Sequence, residues 1–276
     1  MALTPYALEQ CFNFSFTAAA VVRPTSLYFA WHNGPPGDDG SANELAAGVD
    51  ADYARQPITF GSSVWIATTK KQLALNTNTV SITPAAATSY SIYGFSIWDS
   101  ITGGNCLVSG DAKSVIAVSD VSPLSIVAGK IPITLSRKDS FGRTSYGAAL
   151  FLDWLLTADI VTRPTALYLS VHTADPGDTG AANEVVAGDD PDYIRQLSGF
   201  DSAATLVGGD TYTRNNIASI WVPGTGANLA AAYSGIWDAA TAGNCLYTGA
   251  MSPSRQYIDG QTFSVAAKDF TLIEKV

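Results

Sequence analysis

Charged side chains are scarce in this 276-residue sequence: Asp, Glu, Lys and Arg make up 14% of it, little for a chain that must stay in solution. A surface so poor in charge implies that neighbouring subunits cover part of it. The formal net charge is −9 and no stretch clusters Lys or Arg. A groove that tracks phosphates needs local positive charge, which argues against nucleic acid as a partner, and against an anionic membrane surface for the same reason. Cysteine is limited to Cys11, Cys106 and Cys245, too few and too scattered for a disulfide framework or a zinc site. They read as buried thiols that pack like small hydrophobes. No apolar run approaches the roughly 20 residues that span a bilayer. No basic segment precedes an apolar one at the N-terminus, so synthesis in a cytoplasm is expected. There is no Gly-x-Ser-x-Gly elbow, no P-loop and no Gly-rich dinucleotide fingerprint. No catalytic residue and no cofactor is assigned on this basis.

What the sequence does contain is a repeat, the feature to seek first. Arg23-Pro24-Thr25 returns as Arg163-Pro164-Thr165, and the ungapped segments Arg23 to Gln56 and Arg163 to Gln196 agree at 20 of 34 positions. A second block follows one residue out of step: Ile97-Trp98-Asp99 with Ile236-Trp237-Asp238, and Gly104-Asn105-Cys106-Leu107 with Gly243-Asn244-Cys245-Leu246. The chain is therefore read as two tandem copies, residues 1–137 and 138–276, joined by a short polar link at Lys138 to Gly142. Two copies are too few for a solenoid. With 47% apolar residues, each is expected to form a globular domain with its own core.

Within a copy, Thr4-Pro5 and Thr144-Ser145 offer helix starts, and Tyr146, Leu150 and Trp154 recur with helical spacing. Helices are predicted over 5–20 and 145–159. Leu27, Phe29 and Trp31 alternate with Tyr28, Ala30 and His32, as Leu167, Leu169 and Val171 do in the second copy, which predicts strands with one core-facing row. Long Gly/Pro/Asp/Asn-rich loops follow, 33–48 and 173–188. Strands are expected again at 53–60 and 193–200, then a hairpin turning at Thr102-Gly103-Gly104-Asn105. A last strand is expected after Gly129 in the first copy and after Gly260 in the second. The fold class is mostly β: two β-sandwich-like domains, each with an N-terminal amphipathic helix.

Several residues invite a chemical reading. His32 and His172 are the only histidines, each alone at a strand end, so a structural hydrogen bond to the adjoining loop is favoured over a metal site. The loops carry Asp38, Asp39, Glu44, Asp50 and Asp52, and in the second copy Asp175, Asp178, Glu184, Asp189, Asp190 and Asp192. Of these, Asp175, Asp178, Glu184, Asp190 and Asp192 are the candidates for calcium, which takes several oxygen ligands. Their spacing is not that of an EF-hand, and ion pairs with Arg55 and Arg195 are the favoured alternative. Trp31, Trp98, Trp237, Tyr53 and Tyr193 could form a sugar-stacking platform, although aromatics in strands are more often core or interface.

The run Leu167-Tyr168-Leu169-Ser170-Val171-His172-Thr173-Ala174-Asp175-Pro176-Gly177-Asp178, then Asn183-Glu184, Tyr193-Ile194-Arg195-Gln196, Gly235-Ile236-Trp237-Asp238-Ala239 and Ile258-Asp259-Gly260-Gln261-Thr262-Phe263, resembles a family of tailed-phage virion proteins. These are tail-fibre, minor-tail or decoration proteins. The second copy follows the pattern throughout. The first departs at Asn33-Gly34-Pro35 and is read as carrying extra residues around Ser119 to Ser125. The resemblance implies a structural, non-enzymatic component of a virion, made in the host cytoplasm and expected at the tail or its fibres. Its partners would be other phage structural proteins and other copies of itself. A trimer would present six like units; any closed symmetric oligomer fits the same reasoning. The alternatives are a decoration protein on the head surface and, from another class, a module that binds host-surface carbohydrate.

Overall fold

The computed structural model describes residues 2–137, 142–206 and 209–274, so the link at 138–141 lies outside the described residues. The first copy runs β1 (Ala2–Leu3), α1 (Pro5–Phe16), β2 (Leu27–His32), β3 (Gln56–Ile58), β4 (Val64–Ile66), β5 (Lys71–Leu75), β6 (Val80–Ile82), β7 (Ser89–Trp98), β8 (Cys106–Ser119), β9 (Leu124–Ile126) and β10 (Pro132–Ser136). The second runs β11 (Gly142–Arg143), α2 (Ser145–Leu156), β12 (Leu167–His172), β13 (Gln196–Ser198), β14 (Ala204–Thr205), β15 (Thr211–Arg214), β16 (Ser219–Trp221), β17 (Asn228–Trp237), β18 (Cys245–Ile258), β19 (Phe263–Val265) and β20 (Thr271–Glu274). Among the described residues no helix is long and apolar enough to cross a membrane.

The two copies build the same three sheets. Strand order β1-β8-β7-β2-β3 is repeated as β11-β18-β17-β12-β13, β10-β5-β4 as β20-β15-β14, and β6-β9 as β16-β19. The mostly-β pair with one helix opening each copy is what forms. The step between the copies is 140 residues up to β4 and β14 and 139 from Asn76 and Asn215 onward, where the two asparagines bridge to the equivalent residues Phe60 and Phe200. The single deletion therefore lies in the turn between β4 and β5.

Two expectations about register are corrected. β8 and β18 both have 14 residues, and β9 and β19 follow at the same distance, so the first copy has no extra residues around Ser119 to Ser125. Gly129 and Gly260 are not equivalent. Gly129 (φ 78°) matches Lys268 (φ 74°), so β10 corresponds to β20, while the strand that follows Gly260 is β19.

The helices are one turn shorter than predicted. Thr4 and Thr144 cap them as expected: each hydroxyl accepts a first-turn N–H, from Ala7 at 3.2 Å and Gly147 at 3.0 Å, and donates to the carbonyl of Cys106 or Cys245. At the other end Thr17 and Thr157 turn extended, and their hydroxyls donate back to the carbonyls of Asn13 (3.1 Å) and Asp153 (2.9 Å). An arginine of the opposite copy also binds carbonyls at this end, sharing Asn13 O or Asp153 O with the threonine. Arg23 donates to Asp153 O, Trp154 O, Thr157 O and Asp159 O at 2.6–2.8 Å, and Arg163 donates to Asn13 O (2.9 Å), Thr17 O and Ala19 O (2.7 Å). A guanidinium there also opposes the negative end of the helix dipole.

This exchange extends to the packing. Each helix lies on its own five-stranded sheet and on the three-stranded sheet of the other copy: α1 against β8, β14 and β15, α2 against β18, β4 and β5. The Asn13 amide oxygen accepts from Ala203 N at 2.8 Å, and its counterpart Asp153 accepts from Ser63 N at 2.8 Å. Phe14 stacks on its own counterpart, Trp154, with centroids 4.8 Å apart. Contacts that recur with the partners swapped define a two-fold relation, here inside one chain. The expectation of a separate core in each copy gives way to one continuous cluster. Phe12 and Phe16 pack edge-on against Phe151, and Phe16 also meets Phe200 and Tyr247. Burying each such ring contributes on the order of 2 kcal/mol, so the helices stabilise both copies together.

Candidate functional site

The residues singled out by their repetition converge in each copy at the end of β2 or β12, where the long loop folds back over the sheet. His32 and Glu44, like His172 and Glu184, form an isolated bridge that closes the loop. The outer face of the strand is thereby covered, and both histidines are fully buried. His32 Nδ1 lies 2.7 Å from Ala42 O, so that nitrogen carries the proton, and Nε2 accepts from the Ser96 hydroxyl at 2.6 Å. The indole N–H of Trp98 donates to the same hydroxyl at 2.7 Å. Burial pushes both imidazoles below their ordinary pKa, against the pull of the loop carbonyl and the nearby glutamate.

The second copy holds the same hydroxyl in the same place from a different strand. His172 and Trp237 share Ser170, which lies on β12, whereas Ser96 lies on β7. The cross-strand partners are Ala30 and Ser96 in the first copy, Ser170 and Gly235 in the second. A Cβ on Gly235 would come 2.7 Å from the Ser170 hydroxyl, so only one of each facing pair can carry the group. Both copies thus place a hydroxyl at this point, each from a different strand.

Beside the histidine, Glu44 accepts two hydrogen bonds from Arg55 (both 2.7 Å) and one from the Tyr53 hydroxyl (3.0 Å). Burial opposes the charge of Glu44, but Arg55 and Tyr53 hold its carboxyl below the ordinary range. The remaining Arg55 nitrogen donates to Ser100 O (2.9 Å) and Gly103 O (2.6 Å), and the guanidinium covers the Trp98 ring at 3.7 Å. Arg195 repeats this on Glu184, Ala239 O, Ala242 O and the Trp237 ring, the last at 3.4 Å. The strands expected over 53–60 and 193–200 start only at Gln56 and Gln196 because Tyr53 and Arg55, and their counterparts, turn toward this clamp.

The acidic residues are distributed among different partners. Glu184 is held by Arg195; Asp190 accepts from the Tyr257 hydroxyl (2.6 Å), Gly224 N (2.8 Å) and Asp192 N (3.0 Å). Asp175 and Asp178 face Arg137 at 3.5 and 3.8 Å. Asp50 matches Asp190, with Tyr90 in place of Tyr257. Among the described residues no three His, Cys, Asp or Glu side chains converge as ligands for a metal. Trp31 is packed edge-on against Phe29 and Phe95, Trp98 and Trp237 lie under arginines, and the Tyr53 and Tyr193 hydroxyls are bound to glutamates, so these five do not form an open platform. Cys106 and Cys245 sit under loop glycines: a Cβ on Gly40 or Gly180, both at positive φ, would strike the thiol at 2.3 or 2.4 Å. Burial pushes both thiols up to about 12, which keeps them protonated and unreactive.

A cleft of about 660 Å³ opens at the seam between the copies, lined by Leu3, Leu8, Leu135, Arg143, Tyr247 and Glu274 among others. Arg143 and Glu274 pair at 2.8 Å in its wall. Neither histidine, and none of the acidic loop residues, lines it. Sequence reading missed Arg23 and Arg163, whose repetition was visible but whose targets lie 130 to 150 residues away. It missed the shared hydroxyl as well, because Ser96 and Ser170 do not align with each other.

A family model described as Podophage GP4 fiber I protein gp80 matches residues 2–134 and, a second time, residues 142–273. No curated protein matches the chain.

Proposed function

The chain belongs to the podophage GP4 fiber I protein gp80 family, and on that premise we propose that it is a structural piece of the tail-fibre apparatus of a tailed phage. It works as a scaffold in a symmetric oligomer, contacts other virion proteins and performs no catalysis. The observation that carries this reading is the double match, which covers nearly the whole chain with two copies of one fibre module. The internal clamps support it. The histidines, Glu44 and Glu184, and Trp98 and Trp237 are each engaged by other groups of the protein, as suits a rigid part better than a reactive one. The calcium candidates of the second copy are read in the same way, as loop fasteners: Arg195 and Tyr257 already hold Glu184 and Asp190.

Cryo-electron microscopy of the intact particle tests this, with antibody labelling of the chain as a second readout. Density and label on the tail or its fibres are expected. Label spread over the head would replace the tail assignment with capsid decoration. Binding of the purified protein to host-surface glycan would give the carbohydrate alternative its first support.

A further inference from the structure

The two copies present the same outer face, built from β3 and β6 in one and from β13 and β16 in the other, but they cover it with opposite chemistry. In the second copy Ile194, Leu197, Ile217, Ile220 and Val222 stand outward, each 44 to 68% exposed. The segments that carry them adjoin. The Trp221 indole donates to Ile194 O at 2.9 Å, Ser219 Oγ reaches Leu197 O at 3.4 Å, and Ile217 packs beside Gly199. The matching residues of the first copy are Ala54, Pro57, Asn78, Ser81 and Thr83. There the side-chain amide of Gln56 spans the two strands and bonds the main chain of Ser81, while its counterpart Gln196 turns instead to Ile194 O at 3.3 Å. One face is closed by its own polar groups and the other is a stripe of aliphatic side chains.

We infer that the aliphatic stripe of the second copy is where a second copy of this chain docks, face to face about a two-fold axis. Five such side chains expose on the order of 500 Å², at the upper end of what a monomer leaves to water without a use. Two stripes in contact would bury about 1,000 Å², the threshold for a specific interface. The five aliphatic side chains, with polar Ser264 opposite Ile220 and Gln196 at Ile194 along their margin, can complement themselves, as an isologous contact requires. The first copy's polar version then has a purpose. If both faces were sticky, each chain would bind at two places and the assembly would grow as an open filament; with one face, it closes at two chains. This holds whether the particle carries the chain on its tail or on its head.

Sedimentation of the full chain tests the inference. Wild type is expected to dimerise at micromolar concentration. The variant Ile194→Ala/Ile220→Ser/Val222→Thr, which installs first-copy residues at exposed positions, should weaken the dimer by about 100-fold or more, from the apolar area lost on both sides. Its circular dichroism and unfolding midpoint should match wild type, which separates loss of docking from loss of fold. The reverse variant, Ala54→Ile/Ser81→Ile/Thr83→Val, should form species that lengthen with concentration. A wild-type chain still monomeric at about 100 µM, or a dimer unaffected by the first variant, overturns the inference.

Discussion

Replacing Arg23 with alanine tests the claim that the two copies are one cooperative body. In the native state this guanidinium, on the first copy, holds four carbonyls at the end of the helix of the second. Hydrogen bonds from a charged donor contribute roughly 1.5–3 kcal/mol each, and the dipole adds up to about 2 kcal/mol. The site is only half-buried, however, so water can replace part of what is lost. A net cost of about 3 kcal/mol is expected, and for a chain of this size each kcal/mol lowers Tm by about 2 °C, giving a fall of about 6 °C. The assay is thermal and denaturant unfolding, followed by hydrogen exchange of peptides from both copies. With one shared core, wild type and variant should each unfold in a single transition, and the largest loss of protection should appear in α2, more than 100 residues from the substitution. Two transitions, with only the first-copy peptides affected, would refute the exchange of helices and the single core built on it.

Two further outcomes follow from the histidine networks. Ser96→Ala should cost about 1–3 kcal/mol, because it strips partners from a buried imidazole and a buried indole; adding Ala30→Ser with Ser96→Gly, the second copy's arrangement, should recover most of that in denaturant titrations. Because both imidazoles have folded-state pKa values below 6.5, their contribution is complete above that pH and is lost as pH falls toward the folded values. Each adds a slope of up to about 1.4 kcal/mol per pH unit below 6.5. Unfolding free energy measured from pH 7.5 to 5 should therefore decline, and a flat profile over that window would contradict the buried neutral state.

Strands, helix starts and the hairpin could be read locally, because alternation at Leu27 to His32, threonine caps at Thr4 and Thr144, and the glycine-rich turn at Thr102 to Asn105 are short-range signals. The helix ends could not, since Arg23 and Arg163 act across the whole chain. Nor could the shared core: a repeat in sequence reports that two units are alike, and says nothing of whether they interlock. The register after β8 is hidden in the sequence for a related reason. Gly129 and Gly260 both precede strands, yet the position equivalent to Gly129 is Lys268, a non-glycine residue held at positive φ. The pairing of Arg55 and Arg195 with the acidic loops is legible in sequence because the partners lie only 11 residues apart, whereas the cover these guanidiniums lay over Trp98 and Trp237 is not, because strand pairing brings those rings close.

Phe14 against Trp154 marks the point where the internal dyad passes through the protein. In a complex of two separate, identical chains, a side chain at such a point must fit against its own image, so any change there is made twice and must suit itself. Joining the units in one polypeptide lifts that demand. A six-membered ring can lie against an indole, an asparagine can answer an aspartate, and an oily surface can be kept on one side alone. Covalent linkage thus turns a self-matching pair into two specialised halves without altering how they clasp.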